Sequence, residues 1–356
     1  GTYDGTTLGG DIDIGRFTPA YFDQTISEHG TLTGLFGNWA YSGQLDSTGD
    51  GAIEYETLPV LKIEAKNRAG AITQNYTNAS ANDNEKYLHL QNEDPVAQPL
   101  EQDVDITAPT QDTKDGASLT KLLLTVAEIN DPAASDALSP YQEESPGVIL
   151  YTLSDTDNFT YEHSDNSLIP PFQPDFTLVV NSVTDADNVT TSSTEDVTPD
   201  GSTMDVRFGR LTLDNSFGPE TSNLPQAFSV EYLLSANNFI VNTQDSCGVD
   251  CTTIEFATNE VTLSNISLNP LLSGVTVETG GVTLGKFIGL DLFAPGAGSQ
   301  GQMGVEYETP SWLKFAWNSD DNGGDGNLQD DNAKAVATFG RYRGNDRIIY
   351  WQEIDN

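Results

Sequence analysis

Short apolar runs separated by turn-forming residues mark this chain from end to end. In PVLKIEAKNRAG (59–70), Leu61, Ile63 and Ala65 alternate with Lys62, Glu64 and Lys66. That is the period of a strand with one wet face, and NRAG then predicts a turn. FSVEYLL (228–234) alternates in the same way, with Phe228, Val230 and Tyr232 inward and Ser229 and Glu231 outward. SLTKLLLTVAEI (118–129) and GVILYTL (147–153) are more continuously apolar and are expected deeper in a core. NDPAASDALSPYQEESPG (130–147), between them, reads as a Pro/Ser-rich loop. In MDVRFGRLTL (204–213), Val206 and Phe208 share a face, but past Gly209 the apolar phase moves to Leu211 and Leu213. One slipped residue at a glycine predicts a β-bulge. The chain closes on AVATFGRYRGNDRIIYWQE (335–353), expected as two strands around a turn.

No amphipathic helical window exceeds ten residues. Strand spacing of this kind predicts an all-β protein of two or three immunoglobulin-like β-sandwich domains in series. DNSLIPPFQPDF (165–176) holds three prolines in five residues. Proline runs stay extended and cannot pair as central strands, so 169–175 is the expected linker. The boundaries are then a lead-in at 1–30, a sandwich at 31–168 and a C-terminal sandwich region at 176–356. That region is divisible into modules of about 176–270 and 271–356. With 356 residues there is chain enough for each core.

Charge narrows the partners. The 54 acids against 15 bases give a net charge of −39. Nucleic acid and anionic membrane surfaces are repelled by such a chain. The acids are read either as solubility in salty water or as a capacity to load divalent cations. No apolar stretch reaches the ~18 residues of a membrane span, so no direct membrane insertion is expected. The opening GTYDGTTLGGD reads as a mature or excised start.

Two acidic stretches carry the candidate chemistry. DSTGDGAI (46–53) and DNGGDGNL (321–328) both read Asp-x-x-x-Asp-Gly-x-(Ile/Leu). This is the front half of an EF-hand-type loop: oxygens at positions 1 and 5, a glycine turn at 6, an apolar anchor at 8. Position 3 is Thr48 in one copy and Gly323 in the other, and position 12 is Thr57 or Asn332, so neither is a standard EF-hand. Two carboxylates ~5 Å apart repel by roughly 3 kcal/mol at an effective dielectric near 20, so a closed loop would need a cation. The expected ligands are Asp320, Asp321, Asn322, Asp325, Asp330 and Asp331, with a weaker second set of Asp46, Thr48, Asp50 and Glu54. Hard oxygen donors without His or Cys point to Ca2+ over zinc or copper. The alternative is a solvated loop.

Cys247 and Cys251, in SCGVDC, are expected to close a small local disulfide contributing about 2 kcal/mol, with two free thiols as the alternative. Arg341, Arg343 and Arg347, in GRYRGNDR, are weak candidates for an anionic-ligand site; the alternative is pairing with the protein's own acids. No nucleophile elbow, zinc-protease helix, P-loop or dinucleotide fingerprint is present, and the chain is read as no enzyme. His29, His89 and His163 sit in ordinary settings, His89 in a strand. Trp312, Trp317 and Trp351 could form an aromatic platform, although 312 and 317 are expected on opposite strand faces with at least one in a core.

DIDIGRFTPAYF, AKNRAGAITQNYTN, RFGRLTLDNSFGPE, FIVNTQDSC and ATFGRYRGNDRIIYWQE together resemble the C-terminal region of the MshQ family. That is a large surface protein encoded with the mannose-sensitive haemagglutinin (MSHA) type IV pilus of marine gammaproteobacteria. The phrases run from 11 to 353, and the last is the most specific. The resemblance implies an exported, extracellular, pilus-associated protein, an adhesin or tip component, meeting pilus components or a surface or glycan ligand. It implies no catalysis. It also places Trp317–Asp331 where the family keeps an Asp/Gly-rich segment. A structural stalk or filament subunit, self-associating through edge strands, and a secreted carbohydrate-binding module remain as other readings.

Overall fold

A computed structural model describes residues 18–35, 37–46, 48–76, 104–107, 113–114, 117–123, 141–163, 168–185, 188–246, 260–268, 275–277, 282–317 and 330–340. Its architecture is all-β, with buried apolar residues gathered into two cores.

The first core lies between two sheets. One has the order β1 (Tyr21–Glu28), β5 (Val60–Lys66), β10 (Val148–Thr152), β9 (Tyr141–Ser145). The other has the order β2 (Thr31–Gly34), β4 (Ile53–Thr57), β11 (Asn158–Tyr161), β8 (Ala117–Leu123), β7 (Thr113–Lys114). On β5 the expected alternation holds: Leu61, Ile63 and Ala65 are fully buried, and the lysines and Glu64 lie between them. They meet Phe22, Ile149, Tyr151, Phe159 and Tyr161. Residues 67–70 make the expected turn, with Gly70 at φ +80° and its N–H on the carbonyl of Asn67. The loop expected over 130–147 is corrected at its end: Tyr141–Ser145 pairs with β10 as an edge strand.

A third, short sheet, β13 (Glu195–Val197), β12 (Leu178–Val183), β6 (Val104–Thr107), adds Leu178, Val180, Val183 and Val197 to this core. Gln24 ties it to β1, its Nε2 donating to the carbonyls of Val180 at 3.1 Å and Ser193 at 2.6 Å. The proline-containing segment at 169–175 runs along the same core. Ile169, Phe172 and the following Phe176 are buried in it, and Phe172 exchanges backbone hydrogen bonds with Val206.

The second core lies between β15 (Gly209–Leu213), β17 (Leu224–Ser235), β21 (Lys286–Leu292), β20 (Val275–Val277) on one side and β16 (Ser216–Gly218), β23 (Ala333–Phe339), β22 (Gly301–Tyr307), β19 (Val261–Asn265) on the other. A short β18 (Asn238–Val241) pairs with the far end of β17. With β15 and β16 as the split first strand, these orders are A-B-E-D and A′-G-F-C, the immunoglobulin arrangement. Met303 and Tyr307 of β22 stand opposite Ala337 and Ala333 of β23 in the register, Val305 and Phe339 are buried in the same core, and Phe228 meets Tyr307 edge-on at 5.3 Å. On β17 the inward series runs through Phe228 and Val230. It then slips, leaving Tyr232 half-buried and Leu233 in its place.

Between the cores lies a two-stranded parallel ribbon, β3 (Trp39–Tyr41) with β14 (Asp205–Arg207). Its pleat divides the side chains: Ala40 and Val206 join the first core, Trp39 and Tyr41 the second. The slipped phase at 208–209 is therefore not a β-bulge. It is where the chain leaves β14, paired with β3, and enters β15, paired with β17. A glycine is required there because a Cβ on Gly209 would lie 2.6 Å from Leu313 Cδ2 and 2.7 Å from Tyr41 Cδ1.

Candidate functional site

Of the expected cation ligands, the loop after β3 is described in most detail. Asp46 Oδ1 accepts the N–H groups of Thr48 at 2.8 Å and Asp50 at 2.9 Å. The Thr48 hydroxyl lies 2.7 Å from Asp46 Oδ1 and 2.7 Å from Asp50 Oδ2, and its single proton can be donated to one of these carboxylates at a time. Desolvation pushes the Asp46 pKa up, but the hydroxyl of Thr48 and the N–H groups of Asp50, Thr48 and Gly49 outweigh it and hold the carboxyl below its ordinary value. Ile53, the position-8 anchor, is fully buried on β4. Sequence reasoning thus places Asp46, Thr48 and Asp50 together. Glu54 stands apart from their hydrogen bonds, on β4 opposite Asn158 and Thr33. The donors suit a hard cation in kind, but with two carboxylates they fall short of six to eight ligands unless carbonyls and water complete the shell. Among the described residues no group of three or more His, Cys, Asp or Glu is placed to hold a metal ion.

Of the other stretch, Asp330 and Asp331 sit at the base of β23; Asp331 is buried and its carbonyl accepts the Phe315 N–H at 3.3 Å. Asp320, Asp321, Asn322 and Asp325 lie outside the described residues, as do Cys247, Cys251, Arg341, Arg343, Arg347, His89 and Trp351. Trp312 packs against the second core, while Trp317 is exposed.

A buried polar cluster among the described residues was not read from the sequence. It sits at the joint between the cores. Tyr41 OH donates to Asp245 Oδ2 at 2.9 Å and accepts from Asn242 Nδ2 at 2.7 Å. Arg207 Nη1 donates to Asn242 Oδ1 at 2.9 Å, and Nη2 donates to Gln244 Oε1. The guanidinium lies between Trp39, 5.2 Å from its ring centroid, and Tyr232, at 4.7 Å. A cation and an anion, both buried, are thus connected through an amide and a phenol. Each therefore keeps hydrogen-bond partners that burial would otherwise remove. Burial pushes the Asp245 carboxyl up to about 6, against the lowering effect of the Tyr41 hydrogen bond. It also drives the Tyr41 phenol well above its ordinary value, reinforced by the Asp245 charge.

His163 closes the other side of this joint. Its ring stacks on Phe208 at 4.2 Å, Nδ1 lies 3.2 Å from Ser42 Oγ, and Nε2 lies 3.3 Å from the Lys314 carbonyl. Burial lowers its pKa to about 4, although the Lys314 carbonyl and Ser42 favour the charged form. Nothing in YEHS announces this. The one available signal was the slipped phase in RFGRL, beside Arg207 and Phe208. Arg207 and Asp245 are both buried here, and these groups hold two sandwiches together.

Comparison with known proteins divides the chain at the same place. Residues 3–208 match DUF6701, third domain, and residues 207–354 match DUF6701, fourth domain. No curated protein matches the sequence. Among solved structures, the Escherichia coli adhesin FdeC aligns at 10% identity over 88% of this chain and 65% of that one, with a TM-score of 0.23. The chain thus spans less than two thirds of that chain's length, and a superposition this poor bears on neither fold nor role. No helix among the described residues is long and apolar enough to cross a membrane.

Proposed function

The chain belongs to the DUF6701 family, whose third and fourth domains it carries, and from that premise we propose that it is a stiff extracellular segment of a pilus-associated adhesin. The observation that carries the reading is the joint. A hinge needs a short exposed linker. Here Trp39 and Tyr41 of the first unit are instead inserted into the core of the second, and a buried polar chain locks them. Two sandwiches joined this way transmit force and hold a recognition surface away from the cell. The similarity of five phrases to the MshQ family supports the pilus setting, and the net charge of −39 supports life in salty water. The role has no catalytic step. Ca2+ at Asp320–Asp331, and at Asp46, Thr48 and Asp50, would order loops that charge repulsion otherwise opens.

One observation favours the second reading, a stalk or filament subunit. Phe217 is 69% exposed on β16, a three-residue edge strand that can pair with another copy. Beads coated with the purified chain decide between them. The adhesin reading expects attachment to cells or abiotic surfaces in excess calcium, falling in chelator, from a chain that sediments as a monomer. Beads that attach no better than albumin-coated ones, with a chain that assembles as its concentration rises, would replace it with the stalk.

A further inference from the structure

Three aromatic rings close around one guanidinium at the end of the second sandwich that meets the first. Arg210, on the outer face of β15, lies 3.7 Å from the ring centroid of Phe239 on β18. It lies 5.0 Å from Phe315 and 5.3 Å from Trp317, both on the excursion between β22 and β23. Phe315 meets Phe239 at 5.2 Å and Trp317 at 5.1 Å, both edge-on. Glu231, opposite Arg210 in the β15–β17 register, accepts from Nε at 2.8 Å and Nη2 at 2.6 Å through Oε2 alone. Among the described residues Arg210 Nη1 donates no hydrogen bond and Glu231 Oε1 accepts none. Trp317, at the outer end of the row, is 38% exposed.

Holding the excursion in place accounts for Phe315 and Phe239. It does not account for leaving an indole open to water beside a donor and an acceptor already fixed in space. Recognition sites in immunoglobulin-type sandwiches are built where the B–C and F–G connections meet, and these rings come from those two connections. Charge decides what such a patch can take. The field of a −39 chain opposes anions. Arg210 at the centre opposes cations at contact. Size decides further: one indole 38% exposed is far below the roughly 800 Å² per partner of a stable protein interface.

We propose that Trp317, Arg210 and Glu231 form a binding site for one ring of a neutral saccharide. The indole stacks against the apolar face of the sugar, and Nη1 donates to one hydroxyl while Oε1 accepts from another. The proposal rests on the adhesin reading and names the chemical class of its ligand.

The test is an array carrying neutral, sialylated and sulfated glycans, probed with the purified chain and with Trp317→Ala and Arg210→Lys. Melting curves establish that both variants fold. The wild type is expected to bind neutral glycans. Trp317→Ala should weaken that binding about tenfold, and Arg210→Lys, which keeps the charge and loses the fork, should weaken it less. A blank array from a folded chain, signal confined to sialylated or sulfated glycans, or neutral binding that Trp317→Ala leaves intact would each overturn the site. Beads that still attach while the array is blank would remove the saccharide site and leave the adhesin; failure of both would remove both.

Discussion

Asp46 and Asp245 are two aspartates in opposite circumstances. Asp46 lies in a surface loop and is served by donors within four residues: the N–H groups of Thr48 and Asp50 and the Thr48 hydroxyl. Its pKa falls. Asp245 is buried and served by a phenol 204 residues away, and its pKa climbs to about 6. The first arrangement stabilises a charge that the loop would carry anyway. The second retains an acid where a charge is costly, because the acid completes a lock between two sandwiches. Local hydrogen bonding thus shapes a loop, and distant hydrogen bonding shapes the molecule.

The largest effect should come from emptying the joint. Trp39→Ala removes a buried aromatic from the second core and the ring over which Arg207 lies. It is expected to cost about 3–5 kcal/mol in urea unfolding, whereas a loss below about 1 kcal/mol would mean that the joint is loose. Next is a pair of opposed pH dependences. Asp245 has a folded pKa raised from 3.8 to about 6. Its contribution is complete below the unfolded value and is lost as pH rises through about 6. His163 has a folded pKa lowered from 6.5 to about 4. Its contribution is complete above 6.5 and is lost as pH falls through about 4. Each window is worth about 3 kcal/mol. Between pH 7 and 4, His163→Gln should therefore gain stability relative to wild type as pH falls. Asp245→Asn should gain relative to wild type as pH rises. Curves parallel to wild type in both variants would show that neither group senses the joint. The smallest effect belongs to the surface loop: Asp46→Ala should cost about 1 kcal/mol without calcium. The gap to wild type should widen in excess calcium if the loop takes the ion.

The same contrast explains what the sequence disclosed. Leu61, Ile63 and Ala65 announce β5 because alternation is a local property, and Asp46 to Asp50 announce their own turn for the same reason. The strand Tyr141–Ser145 was hidden by the proline and serine around it, since an edge strand needs only half its backbone paired. Val206, Phe208, Leu211 and Leu213 carried a true irregularity in the pattern. However, a slipped phase looks alike whether a strand bulges or passes from one sheet to another. Tyr41, Asn242 and Asp245 left no trace at all, because their meaning lies in a contact spanning more than half the chain. Arg210 and Phe239 were passed over for a related reason. An arginine in one strand and a phenylalanine in another gain significance only when Phe315 and Trp317 are laid against them.

Scanning calorimetry of the intact chain, compared with Trp39→Ala, tests the joint most directly. Two sandwiches locked through Trp39, Tyr41, Arg207 and Asp245 should unfold together, in one transition whose calorimetric and van't Hoff enthalpies agree, and Trp39→Ala should split it in two. Two separate transitions in the wild type, unchanged in position by Trp39→Ala, would contradict the account: the sandwiches would then be independent beads, and the chain could not serve as a stiff arm.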